Sequence, residues 1–175
     1  NYPPHVFDTL VKFRWNSIGI TADIEKAFLM ISIKSSDRDA LRFLWFDDPN
    51  ECHPELTVYR FKRLVFGLRP SPAILGFTIC HHLDRYSQSD SQLVSLLKES
   101  FYVDDLVTGE EGVEQSFHIY KRSKEIMEDG GFNLRKWNTN SQALRDKIEV
   151  HELSHEATAK QQINSRTCWS FNCSR

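Results

Sequence analysis

Three carboxylates are the groups in this sequence best suited to chemistry: Asp23, near the end of a short apolar run, and the adjacent pair Asp104 and Asp105 far downstream. Neighbouring anions held between apolar flanks repel one another and lose hydration, a cost that a divalent cation offsets most readily. An all-oxygen donor set favours Mg²⁺, with Mn²⁺ as a substitute, over zinc. Two such ions about 3.5–4 Å apart can activate an attacking hydroxyl and stabilise a leaving pyrophosphate, which is the chemistry of nucleotidyl transfer. Taken singly, each part has a plainer explanation, because aspartates are common in turns and at strand ends. It is their combination that points to catalysis.

The elements around these residues decide whether they can meet. Ile18, Ile20, Ala22 and Ile24 occupy the even positions of residues 18–24, and Gly19, Thr21 and Asp23 the odd ones. This is the period of a half-buried strand, and it turns Asp23 away from the apolar face. A short helical turn through Ala27 and Phe28 is expected next. Residues 43–46 and 57–64 read as extended pieces around the turn formers Asp47, Asp48, Pro49 and Asn50. Ser71-Pro72 supplies an N-cap and a first-turn proline for a helix reaching about Tyr86, with Leu75, Ile79 and Leu83 on one side. Polar residues 87–92 loosen the chain before residues 101–107, which read as a hairpin with both aspartates at its tip. A helix over residues 114–129, ended by Gly130-Gly131, leads to a last strand over residues 132–137. The order is the βαββαβ arrangement of ferredoxin-like α+β domains, in which both helices cover one sheet face and leave the other free. There the first strand lies beside the hairpin, so the three aspartates would converge on the free face.

Composition narrows the class. The chain has 175 residues, a net charge of −2, 26% charged and 40% hydrophobic residues, values typical of a globular domain and not of a collagenous, strongly basic or wholly disordered chain. The longest mostly apolar stretch, residues 73–80, falls far short of the ~18 residues a membrane span needs, so no membrane partner is expected. Cys52, Cys80, Cys168 and Cys173 are too scattered for a disulfide framework and suggest a reducing intracellular setting. A start at Asn1 suggests a piece of a longer protein. Residues 1–145 read as the folded unit and residues 146–175 as a loosely held tail, poor in large apolar residues. Within that tail, His151 and His155 with Cys168 and Cys173 raise the thought of zinc. The four residues between the cysteines are more than zinc sites usually allow, and polar surface is the preferred reading.

At this point the motifs resemble a family. Tyr102-Val103-Asp104-Asp105, flanked by Phe101 and Leu106-Val107, is similar to the YxDD signature of reverse transcriptases, and Asp23-Ile24-Glu25-Lys26-Ala27-Phe28 to their D-x-x-x-A-aromatic motif. Residues 65–73, Val-Phe-Gly-Leu-Arg-Pro-Ser-Pro-Ala, resemble the block in which a glycine turn opens a helix, although Pro70 departs from the usual small or amide residue. Residues 130–137, Gly-Gly-Phe-Asn-Leu-Arg-Lys-Trp, look most like BEL/Pao long-terminal-repeat retrotransposons. The resemblance spans about residues 1–141.

It implies the palm of a right-hand polymerase with a partial fingers insertion, ending before thumb and RNase H. Asp23, Asp104 and Asp105 would be the catalytic carboxylates, and with the Ile24 carbonyl they would hold two Mg²⁺ ions. Backbone amides of Lys26 and Ala27 would hold the triphosphate. Phe28 would lie beneath the sugar and exclude a 2′-hydroxyl, its plainer alternative being a core residue. Phe66 and Gly67 would border the nucleotide, and Tyr102 and Val103 the last primer base pair. Lys136 would be a general acid toward pyrophosphate. Arg60 and Lys62, two apart on a presumed strand, would share a face suited to a phosphodiester backbone, and Lys12, Arg14, Lys121, Arg122 and Lys124 form further basic groups. Implied partners are an RNA or DNA template-primer, dNTPs and the rest of a polyprotein, in the cytoplasm or in virus-like particles, with nuclear access. Lacking most of the fingers and the thumb, the isolated fragment would be inactive or weakly active. The alternatives are a catalytically inactive palm-like remnant that binds nucleic acid or a protein, and a different nucleotidyl transferase on a palm-like sheet.

Overall fold

The structure, a computed structural model, describes residues 6–48, 50–51 and 53–167, with side chains in the last helix described to residue 155. Cys52, Cys168 and Cys173 lie outside the described residues. Helix α1 (Val6–Trp15) leads into strand β1 (Ile18–Ile24). After the short helix α2 (Ala27–Met30) and a 3-10 segment (Ser35–Leu41), strands β2 (Arg42–Phe46) and β3 (Leu56–Arg60) form a separate antiparallel hairpin. Helices α3 (Ser71–Asp84) and α4 (Ser91–Ser100) precede strands β4 (Phe101–Tyr102) and β5 (Asp105–Glu110). Helix α5 (Val113–Asp129), strand β6 (Leu134–Thr139) and helix α6 (Gln142–Thr167) complete the chain. Among the described residues no helix is long and apolar enough to cross a membrane.

The fold is α+β, built on a four-stranded sheet in the order β4-β5-β1-β6 with every neighbouring pair antiparallel. β1 is central because it is the strand with apolar residues to bury: Ile20, Ala22 and Ile24 point into a core shared with Leu75, Ile79 and Leu83 of α3, Leu97 of α4, Leu106 of β5, and Ile126 and Met127 of α5. Each such Ile, Leu or Met side chain removed from water contributes about 1.5–3 kcal/mol. Helix α5 ends where Gly131 takes φ +77°. There the Phe132 N–H donates to the Met127 carbonyl and the Gly131 N–H to that of Glu128, the paired bonds of a Schellman cap. His82 is buried between α3 and α5, its Nε2 lying 2.6 Å from the Ile126 carbonyl oxygen. A Cβ at Gly130 would come within 2.8 Å of that ring, which is why α5 closes on glycine.

Several expectations need correction. The chain before Phe101 is not simply loose, since α4 occupies residues 91–100 with Leu93, Val94 and Leu97 buried. Its Leu93, Leu96 and Leu97 spacing was a helical signal. Helix α1 carries no counterpart in the sequence reading. Ser71 does not act as the N-cap; it is the first helical residue, and its hydroxyl donates to the Val65 carbonyl at 2.7 Å. Helix α6 runs through residues 142–167, where a loosely held tail was expected, and anchors through buried Leu144 and Ile148. The second sheet face is not wholly free either. Gly19 and Gly109 face each other across β1 and β5, and without side chains they let α1 lie against the sheet, where a Cβ on Gly19 would sit 2.6 Å from the Phe13 ring.

The α1 end of that face is thus covered and the aspartate end left open. Gly109→Ala would place its Cβ 2.5 Å from the Ile18 carbonyl oxygen, a backbone atom that cannot swing aside, and should destabilise the fold by about 1–3 kcal/mol. Gly19→Ala should cost less, because the Phe13 ring can rotate. Urea unfolding of both variants checks this ranking, and equal losses would contradict it.

Candidate active site

The register of β1 on β5 brings two of the carboxylates together. Asp23 is the direct cross-strand partner of Asp105, two residues along from the Thr21–Val107 pair and four from the glycine pair, so both project from the same face. Directly opposed residues have Cβ atoms about 4.5–5.5 Å apart, and like charges in such a pair destabilise a sheet. Asp104 lies in the two-residue turn between β4 and β5, and its carbonyl oxygen accepts the Ile24 N–H at 2.9 Å, tying the turn to the end of β1. Although Asp105 is exposed, partial desolvation raises its carboxyl above its ordinary value, and the charges of Asp104 and Asp23 raise it further, with Lys136 acting in the opposite sense.

Backbone strain gathers around the same spot. Among the described residues the non-glycine positions with positive φ are Lys26 (51°), Val103 (58°) and Lys136 (53°). All three neighbour the aspartates in sequence or in the sheet. Val103 occupies the first central position of a tight turn where glycine is usual, and left-handed backbone costs an L-residue roughly 1–2 kcal/mol. Lys136 sits in an irregularity of the β1–β6 ladder, where register shifts between Thr21 and Asp23. Bulges of this kind re-aim side chains, and here the Lys136 ammonium donates to Asp23 Oδ2 at 3.2 Å.

Arg135, the ladder partner of Asp23 on β6, was not singled out from the sequence. Its Nε lies 3.4 Å from Asp23 Oδ1, an ion-pair contact whose geometry is not that of a hydrogen bond, so both atoms are buried without a hydrogen-bond partner. Its Nη1 donates to Glu25 Oε1 at 3.0 Å, and Asn133 Nδ2 donates to Glu25 Oε2 at 2.9 Å. The available signal was the alternation of Asn133 and Arg135 about the apolar Leu134. In this conformation Asp23 faces two cations, and among the described residues no three His, Cys, Asp or Glu groups form a ready-made ion cage.

Phe28 is buried at 8% exposure and meets the edge of Phe66 with ring centroids 5.6 Å apart. Phe66 itself is 85% exposed, beside Gly67 at φ +91°. Ala27 is buried, Lys26 is exposed, and Tyr102 is about one-third exposed on β4. Arg60 and Lys62 do not share a strand face, because β3 ends at Arg60. The Lys62 carbonyl instead accepts the Ile33 N–H, and Arg63 bridges to Ser32. Arg60 pairs with Asp39 at 2.8 Å, and Arg60 and Arg42 together hold the Asp39 carboxyl below its usual value. Lys12, Arg122 and Lys124 pair with Glu99, Asp90 and Glu152.

Comparison with models of known protein families finds no match, and a search of curated proteins finds no relative.

The opposed carboxylates make a stability prediction. Asp105 protonates more readily in the folded than in the unfolded chain, so its ionisation penalises the fold at neutral pH. That penalty fades as pH falls through its raised value toward ~3.9, the unfolded carboxylate value. In chelator, Asp105→Asn should therefore be more stable than wild type at pH 7 by about 0.2–1 kcal/mol, with the gap closing on acidification. A less stable variant, or a gap independent of pH, would contradict this.

Proposed function

We propose that this chain carries the palm of a right-hand polymerase, with part of the fingers in the β2–β3 hairpin, and that it is an RNA-directed DNA polymerase of the type found in BEL/Pao retrotransposons. The observation carrying this reading is the cross-strand opposition of Asp23 and Asp105 with Asp104 in the adjoining strained turn. Stability alone would not select three carboxylates at one sheet position. The β4-β5-β1-β6 order is also the one a ferredoxin-like βαββαβ palm requires.

The donor set fits Mg²⁺: it is all oxygen, the Asp23 Oδ1 atom is buried without a hydrogen bond, and desolvation, with repulsion from Asp104 and Asp23 added to it, leaves the Asp105 carboxylate a charge that a cation would offset. Asp23, Asp104 and Asp105 would hold two such ions, with the Ile24 carbonyl completing one shell. When bound, the ions would favour the deprotonated primer 3′-hydroxyl and neutralise charge on the leaving pyrophosphate. The chain's own groups do the rest. Lys136 Nζ, already beside Asp23, can deliver a proton to the departing pyrophosphate. Phe28, anchored in the core and met at its edge by the exposed Phe66, would offer the open part of its ring to the sugar of the incoming nucleotide, so that a 2′-hydroxyl is excluded by sterics. Tyr102 and Val103 would abut the primer end.

One observation favours the inactive alternative: Asp23 is held by Arg135 and Lys136, which would have to yield to the ions. Single-nucleotide addition to an RNA-templated DNA primer, with Mg²⁺ or Mn²⁺, separates the two. Because the fragment carries little of the fingers, the expected result, with protein in excess over template-primer, is slow dNTP incorporation that Asp104→Asn reduces to background and Lys136→Ala slows by at least about 10²-fold. Template-primer binding without incorporation would support the remnant and overturn the polymerase reading.

A further inference from the structure

The α5–α6 seam holds a second cluster of titratable groups, remote in sequence from the aspartates. Tyr120 on α5 is fully buried, and its hydroxyl donates to Glu152 Oε1 at 2.5 Å. Lys124 Nζ reaches the same oxygen at 2.5 Å. Burial disfavours the Glu152 carboxylate, but these two donors outweigh it and hold the group ionised. Because the single Tyr120 proton goes to Glu152, the phenolic oxygen accepts from His151 Nδ1, 3.0 Å away. This fixes the His151 tautomer with its proton on Nδ1 and a lone pair on Nε2. Burial, then the neighbouring His155, Lys121 and Lys124, keep the ring neutral by lowering its proton affinity.

The lone pair on His151 Nε2 meets Nε2 of His155, one helical turn on, at 3.2 Å, a hydrogen bond between the rings that a shared metal ion would replace. Two imidazole nitrogens bonded to one zinc ion at ~2.0–2.1 Å, with an angle between square and tetrahedral, stand roughly 2.9–3.4 Å apart. The pair already has that spacing, and the outer nitrogen of His151 is braced by a hydrogen bond, as metal-ligating histidines usually are.

We propose that His151 and His155 form a chelating site on α6 for a zinc-like divalent transition metal. The segment His151-Glu152-Leu153-Ser154-His155 has the His-Glu-x-x-His pattern that places two ligands on one helix face, and in metallopeptidases its glutamate serves as general base. Here Glu152 is committed to Tyr120 and Lys124, so the site binds metal without peptidase chemistry. Among the described residues no third protein ligand joins the pair, which leaves the other positions to solvent. The ion would clamp the outer part of α6 and, by binding only the folded form, stabilise it.

Zinc titration of the chelator-stripped full chain, in excess Mg²⁺ to occupy the aspartates, tests this. One equivalent should bind and raise the melting temperature, and His155→Ala, an exposed position, should weaken binding at least tenfold with an unchanged circular dichroism spectrum. Binding unaffected by His155→Ala overturns the proposal, as does binding abolished by the double change Cys168→Ser, Cys173→Ser while His155→Ala has no effect. Absence of stoichiometric zinc overturns it as well.

Discussion

Opposition of two carboxylates across the central strand pair sets the terms for this molecule. An antiparallel ladder repeats every two residues, so once the Gly19–Gly109 pair is in place, Asp23 must face Asp105 on the same side. The alternation that buries Ile20, Ala22 and Ile24 leaves that anionic pair on the opposite face. Slipping the register by one residue would separate the acids, but it would also bring the apolar set out of the core. The hydrophobic core thereby enforces an arrangement that electrostatics alone would oppose.

The surrounding structure manages this repulsion rather than removing it. Arg135 and Lys136 reach Asp23 from β6, the second of them from a left-handed position at a ladder irregularity. Val103 accepts a backbone conformation costly for a β-branched residue, so that Val103 and Asp104 can form the two-residue turn that joins Tyr102 to Asp105. Strain of this kind persists where neighbouring structure over-determines it, and such places are commonly functional. α1 covers only the glycine end of the face, leaving the acids accessible from solvent. The β2–β3 hairpin stands apart, with Leu44 61% and Leu56 62% exposed, as a two-stranded unit carrying little core of its own.

Much of the sheet was legible because its signals are local. The alternation in residues 18–24, the aspartates beside Tyr102 and the glycines after residue 129 each name their element without reference to the rest of the chain. α4 was missed because its polar lead-in masked the Leu93, Leu96 and Leu97 repeat. α1 was missed because its apolar residues spread round the helix, with Phe7, Leu10 and Trp15 all exposed. The alternation about Leu134 can put Arg135 on a strand face but not beside Asp23, since that neighbour exists only through the β1–β6 register. The shared face expected for Arg60 and Lys62 failed because a strand's end is set by its tertiary bridges, here Ser32 to Arg63, and not by the residues' own preferences.

Under the proposed function, carboxylates from two distant segments would share cations. Paramagnetic broadening of backbone amide signals by substoichiometric Mn²⁺ tests it directly, because the ion reports every segment near it at once. Residues 22–25 and 103–106 should broaden together, and excess Mg²⁺ should reverse it. Broadening confined to one of these segments, or absent from both, would contradict it.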